Sequence, residues 1–193
     1  ARVLVVTPYQ DIGAGELMVD ELEESLQVPV QLVAMEQLMA VLDQTASATL
    51  VTSRYFIGEV EAMAALKAVR VIPLDIHDYG KELTVVKGLP KSSCIGVISP
   101  SSGILRATEV ILHGLRGDEL LVITAQPKDA YKLQAMVKRS EIIFCTDQIS
   151  YCTAQATIQT LSEDLIRTPK LIRCENYIGI QSINLLQREL GLI

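Results

Sequence analysis

Val5-Val6-Thr7-Pro8 and Val97-Ile98-Ser99-Pro100 stand 92 positions apart and have one pattern, a run of strand residues closed by a hydroxyl residue and a proline. A second pair, Leu50-Val51-Thr52-Ser53 and Phe144-Cys145-Thr146-Asp147, recurs at an offset of 94. Each of these is followed by a stretch with helical spacing, which predicts helices over about residues 55–67 and 149–161. Second strands are expected at 30–33 and 120–123, and fourth strands at 70–74 and 170–174, in the same order in each half. Four correspondences in register make the chain a duplicated set of βα units.

The fold expected is therefore α/β, two similar lobes with mostly parallel sheets flanked by helices. The first lobe is placed at residues 1–80 and the second at 81–193, with a crossover at about 76–93. Ile76-His77-Asp78-Tyr79-Gly80 and Lys87-Gly88-Leu89-Pro90 supply the turn residues of that crossover, and Leu83-Thr84-Val85-Val86 reads as an extended piece between them. A last helix over 179–190, with Ile180, Ile183, Leu186 and Leu190 at helical spacing, is expected to fold back over the first lobe. Two lobes of this size side by side cover one another and leave a cleft, which is a binding architecture.

The composition fits this reading. The 193 residues are 49% hydrophobic, mostly aliphatic, with 4% aromatics and no Trp. Seventeen Lys and Arg against 23 Asp and Glu give a formal charge of −6, which weighs against a phosphate-gripping nucleic-acid surface within this segment. No apolar run reaches the roughly 20 residues of a membrane span, so the expectation is a cytoplasmic protein without membrane contact. The chain begins at Ala1 rather than Met and enters a strand almost at once, which suggests a piece of a longer protein whose N-terminal part is missing.

In parallel α/β sheets, ligands bind beyond the carboxyl ends of the strands, where helix N-termini present free amides. From the first lobe this places Thr7, Tyr9, Thr52, Ser53 and Arg54 at a candidate effector site. From the second it places Ser99, Ser101, Ser102, Thr146 and Asp147 there. Each hydroxyl is also an ordinary helix N-cap, contributing about 1 kcal/mol to stability. Arg54 is the sharpest candidate, because a guanidinium pairs two-pronged with a carboxylate or phosphate.

Other chemistry finds little footing. Ser99-Pro100-Ser101-Ser102-Gly103 lacks the Gly-Lys ending of a phosphate loop, and Gly13-Ala14-Gly15 has Met18 where a dinucleotide fingerprint needs its third Gly. No Gly-x-Ser-x-Gly elbow or His-Glu-x-x-His helix occurs, so neither catalytic residues nor a cofactor are expected. Cys94, Cys145, Cys152 and Cys174 form no CxxC pair and read as buried thiols, with a redox role left open. His77 beside Asp75 and Asp78 is too local a cluster for a metal site. His113 falls in a helix whose apolar positions read as Ile104, Val110, Ile111 and Leu115. Asp75 and Glu175, in matching places after the fourth strands, read as solvated or capping charges.

Val51-Thr52-Ser53-Arg54-Tyr55-Phe56 and Gly96-Val97-Ile98-Ser99-Pro100-Ser101-Ser102-Gly103 resemble the C-terminal effector domains of GntR-type bacterial transcription regulators whose sensor region is periplasmic-binding-protein-like, in particular the cyanobacterial PlmA type. The resemblance implies a winged-helix DNA-binding domain before this segment, operator DNA contacted only there, and a homodimer. For the PlmA type it also implies contact with the nitrogen-signalling proteins PII and PipX. Three readings stay open at this point: a sensor of a small anionic effector, a partner-docking module with a degenerate cleft, and a two-lobed enzyme. For the homodimer, the helical stripe Met35, Leu38, Met39 and Leu42 could supply part of the contact, though core burial is the commoner fate of such a stripe.

Overall fold

The computed structural model describes residues 2–45 and 47–193. Residue 1, with which the first lobe is expected to begin, lies outside the described residues.

The first sheet is formed by β1 (Arg2–Thr7), β2 (Val30–Ala34), β3 (Ala48–Ser53) and β4 (Arg70–Leu74), ordered β2-β1-β3-β4 and parallel throughout. Its helices are α1 (Ile12–Leu26), α2 (Leu38–Asp43) and α3 (Ile57–Ala65). Alternation along β1 decides which helix lies on which face. Val3 and Val5 pack with Met18 and Leu22 of α1, while Leu4 and Val6 pack with Leu38 and Leu42 of α2 and Val60 of α3. A strand covered on both sides reads as a continuous apolar run, which is why Val3 to Val6 has no polar member. Full burial of each such side chain stabilises by about 1.5–3 kcal/mol.

α1 lies close against this sheet at Gly15, where an added Cβ would sit 2.6 Å from Leu32 Cδ1 and 2.7 Å from Thr7 Oγ1. It ends where Gln27 turns left-handed at φ 57° and its N–H donates to the Glu23 carbonyl at 3.0 Å.

The second sheet repeats this plan with β5 (Cys94–Ile98), β6 (Leu121–Ala125), β7 (Ile142–Cys145) and β8 (Lys170–Arg173), ordered β6-β5-β7-β8 and parallel. Here α4 (Gly80–Lys87) and α5 (Ser102–Arg116) cover Ile95 and Val97, and α6 (Ala130–Arg139) and α7 (Gln148–Thr160) cover Ile98 and Ile143. The last helix, α8 (Ile180–Glu189), packs through Ile183 and Leu186 on the α1 face of the first sheet.

The chain divides into two compact units, Ala1–Asp78 with Tyr177–Ile193, and Tyr79–Asn176. The division differs from a break at residue 80 in that the C-terminal 17 residues group with the first unit. The helix following β4 thus belongs to the second unit and the helix following β8 to the first. Arg70 helps hold α8 in place by donating to the Glu189 carboxylate at 2.9 Å and to its backbone carbonyl at 3.0 Å.

Two expectations need correction, on Leu83 to Val86 and on the helix of His113, and the stripe of Leu38 and Leu42 takes the commoner fate expected of it. Leu83-Thr84-Val85-Val86 is not extended but lies in α4. Val86 is buried there, Leu83 and Val85 pack on the same core, and the Thr84 hydroxyl donates to the Gly80 carbonyl at 2.8 Å, so burial overrides the β-branched preference. Leu38 and Leu42 of the candidate dimer stripe are core residues. In the helix of His113, the core positions are Leu105 and Leu112, whereas Val110 and Ile111 are 72% and 51% exposed.

Candidate functional site

At the carboxyl edge of the first sheet, β1 ends in Thr7 and β3 in Thr52 and Ser53, all buried. The Thr52 hydroxyl donates to the Val6 carbonyl at 2.7 Å, across the β1–β3 junction where the strand order reverses. Thr7 and Ser53 follow Val5 and Val51, a registered pair, so both side chains face the α1 side of the sheet. Thr7 Oγ1 and Ser53 Oγ are buried without a hydrogen-bond partner. A buried hydroxyl left unpaired costs about 1–3 kcal/mol, which makes these two atoms the unsatisfied groups of this edge.

The residues two positions after them in the chain are exposed. Tyr9 and Tyr55 are 72% and 78% exposed, and the Tyr9 backbone N–H donates to the Glu36 carboxylate at 3.0 Å. Arg54 projects its guanidinium to the carboxylate of Asp75, which follows β4. Asp75 is itself fixed by α8, since its N–H donates to Ser182 Oγ at 3.0 Å and its carbonyl accepts from the Gly179 N–H at 3.0 Å. Asp75 is therefore both a largely solvated charge and the partner of the one cation among the candidate residues. Both members are 59% exposed, so water screens their attraction and the pair contributes little to stability.

Beside this edge, Glu21 of α1 accepts the Ile178 N–H at 3.1 Å. Burial pushes its carboxyl up to about 7, against the lowering effect of that hydrogen bond, and the charge of Glu24 adds to the rise. Ile178 also pairs antiparallel with Ile76, and the His77 N–H donates to the Tyr177 carbonyl at 2.8 Å.

In the second unit the corresponding edge is more fully bonded. Thr146 Oγ1 donates to the Ile98 carbonyl at 3.3 Å, the same bond that Thr52 makes to Val6. Ser99 Oγ accepts the Ser101 N–H at 3.2 Å, Ser101 Oγ caps α5 at Ile104 N, and the Asp147 carboxylate caps α7 at Ser150 N. Ser102 is exposed, and Ser150 Oγ is buried without a partner. Ser101 and Asp147 thus act as helix caps, and Thr52 and Thr146 as braces between adjacent strands.

Sequence reasoning missed the pairing of Asp75 with Arg54 and missed Ser182, Ser150 and Glu21. Asp75 and Ser182 meet Arg54 and β4 only through the fold, with no local signal in their own neighbourhoods. Ser150 stands three residues after Asp147, where the capping pattern was the available clue.

Among the described residues, no group of three or more His, Cys, Asp and Glu is placed to hold a metal. Burial pushes the Cys145 and Cys174 thiols up to about 12 and raises that of Cys94, so these three stay protonated and are poor nucleophiles. Among the described residues no helix is long and apolar enough to cross a membrane.

No curated protein matches the chain. Solved structures similar to it include a sugar transporter from Clostridium phytofermentans, at 12% identity and TM-score 0.40, covering 99% of this chain and 91% of the other. A Caulobacter myo-inositol binding protein bound to myo-inositol is similar at 15% identity and TM-score 0.38, covering 83% and 70%. A LacI family transcriptional regulator from Enterococcus faecium with bound ribose is similar at 11% identity and TM-score 0.40, covering 100% and 88%. Over residues 81–175, nearly the whole of the second unit, the chain matches the family of C-terminal domains of cyanobacterial PlmA-type GntR regulators.

Proposed function

We propose that the chain is the signal-sensing and dimerisation domain of a cytoplasmic transcription regulator, and that its signal is a small anion taken at the carboxyl edge of the first sheet. Operator DNA would then be contacted only through an N-terminal domain preceding this segment. The observation that carries the reading is the pair of unpaired buried hydroxyls, Thr7 Oγ1 and Ser53 Oγ, next to Arg54, whose side chain pairs with the exposed Asp75. Hydroxyls without an internal partner call for an external one. A guanidinium held by a weak surface pair can exchange that carboxylate for a ligand's. Thr52, Ser101, Thr146 and Asp147 have structural bonds in this reading, leaving Thr7, Tyr9, Ser53 and Arg54 to meet the ligand.

Calorimetric titration with inorganic phosphate and with short dicarboxylates tests this. Saturable binding that weakens in Arg54→Ala is expected, and absence of binding by every anion in a folded protein overturns it.

A second reading, docking of a regulatory protein such as PII or PipX, is favoured by charge. The first unit carries five Lys and Arg against thirteen Asp and Glu, the second twelve against ten, together the 17 and 23 of the chain. So acidic a unit suits a basic protein surface better than a free anion. Co-sedimentation with purified PII and PipX separates the two readings.

A further inference from the structure

We propose that the outward face of α5 is the surface through which two copies of this chain associate, with the two α5 helices antiparallel about a two-fold axis. The inference rests on the homodimer reading above and assigns it a place.

The duplication supplies an internal standard for what a solvated face looks like. α1 and α5 are both 15 residues long and follow the first strand of their units, and Leu22 and Leu112 are buried at the same step of each. In that register α1 exposes Gly13, Glu16, Asp20, Glu23, Glu24 and Ser25, four of them acidic. The matching exposed positions of α5 are Arg106, Val110, His113 and Gly114. Val110 is 72% exposed at the centre of this face. Gly114 has no atom within 4 Å of where a Cβ would sit, so packing inside the unit does not require a glycine there. Gly114 lies in the last turn of α5, where a glycine costs up to about 1 kcal/mol relative to alanine, and close approach of another backbone is what it permits.

Charge selects a second copy as the occupant. Contact between two first units would bring two strongly acidic surfaces together, whereas the second unit is close to neutral. On the α5 face, Arg106 and Glu109 are both exposed and of opposite sign. Thr124 Oγ1 donates to Glu109 Oε1 at 2.8 Å and holds that carboxylate in place. In an antiparallel pair of identical helices, the register that sets Ala107 of one copy beside Val110 of the other also sets Gly103 beside Gly114, and leaves Arg106 about 3 Å along the axis from the other copy's Glu109, within reach of its long side chain. Each contact then occurs twice, as a two-fold interface requires.

Sedimentation equilibrium of the 193-residue chain, with thermal melting to confirm folding, tests the assignment. Val110→Asp is expected to raise the dimer dissociation constant at least about tenfold. Arg106→Glu and Glu109→Arg should each weaken the dimer, and the two together should restore it to within about threefold of wild type. Asp20→Ala, at the equivalent place on α1, should change nothing. A wild-type chain monomeric at about 100 µM overturns both this surface and the homodimer reading. A dimer indifferent to Val110→Asp overturns the surface and leaves the homodimer standing. Failure of the charge swap to restore association overturns the antiparallel register.

Discussion

Arg54, just beyond the end of β3, and Asp75, just beyond the end of β4, are joined side chain to side chain, while α8 holds Asp75 by its backbone through Ser182 and Gly179. The cation best suited to an anionic ligand is therefore already neutralised, by a carboxylate whose position depends on a helix from the far end of the sequence. Any anion that reaches Arg54 displaces or shares that partner, and the ligand site and the seat of α8 become coupled through Asp75.

Arg54→Ala should weaken anion binding by about tenfold to a hundredfold while shifting the melting temperature little, because the exposed pair it breaks contributes at most about 1 kcal/mol. Titration and melting of the same sample check this. A large loss of stability would assign Arg54 a structural role instead.

Thr52→Val and Thr146→Val each remove a hydroxyl that braces neighbouring strands, to Val6 and to Ile98. Each should lower unfolding stability by about 1–2 kcal/mol in urea titration, the larger effect at Thr52, which is wholly buried and makes the shorter bond. Neither change should alter ligand affinity by more than about twofold, since these hydroxyls are engaged inside their sheets.

Glu21 makes stability fall with rising pH. Its carboxyl is raised from an ordinary 4.5 to about 7 in the folded chain, so folding favours the protonated form. The stabilisation is fully present below about 4.5, declines as pH rises toward about 7, and is gone above it; the total is on the order of 3 kcal/mol. Glu21→Gln should flatten this part of the profile, measured by denaturant unfolding between pH 4.5 and pH 8. An unchanged slope in the variant would assign the pH dependence to other groups.

Arg116 is 12% exposed at its side chain and donates to the carbonyls of Val86 at 2.9 Å and Leu89 at 2.8 Å, and to the Glu119 carboxylate at 2.9 Å. It closes the carboxyl end of α4, where backbone carbonyls otherwise lack partners. Arg116→Ala should cost about 2–4 kcal/mol, and Arg116→Lys should recover only part, because one ammonium cannot reproduce the fork. Equal stability of the Lys variant and wild type in urea titration would contradict this.

The periodic parts of the fold were legible. Val3 to Val6 and Leu50 to Ser53 announce buried parallel strands because both faces of each are covered, and the repeat at offsets of 92 and 94 tied the two sheets to one plan. Where the pattern was short or two-sided, it misled. Val85-Val86 looks like a strand until the α4–α5 core that buries Val86 is known. The helix of His113 carries two apolar stripes, and nothing local says that Leu105 and Leu112 face inward while Val110 faces out. At the candidate site, residue types at the strand ends were readable, but their bonds were not. Arg54 and Asp75 are 21 residues apart, and Asp75 and Ser182 are 107 apart, so these partnerships exist only once the sheet and α8 are assembled.

The most direct test of the account is the sign of the Asp75→Asn effect on anion binding, measured by calorimetric titration of phosphate and short dicarboxylates against the variant, Arg54→Ala and wild type. If Arg54 receives the anion and Asp75 competes for it, removing the carboxylate's charge tightens binding by about threefold to tenfold, opposite in direction to Arg54→Ala. If Asp75→Asn weakens binding or leaves it unchanged in a folded protein, Arg54 does not exchange Asp75 for a ligand, and the first-sheet edge is not the site of an anionic signal.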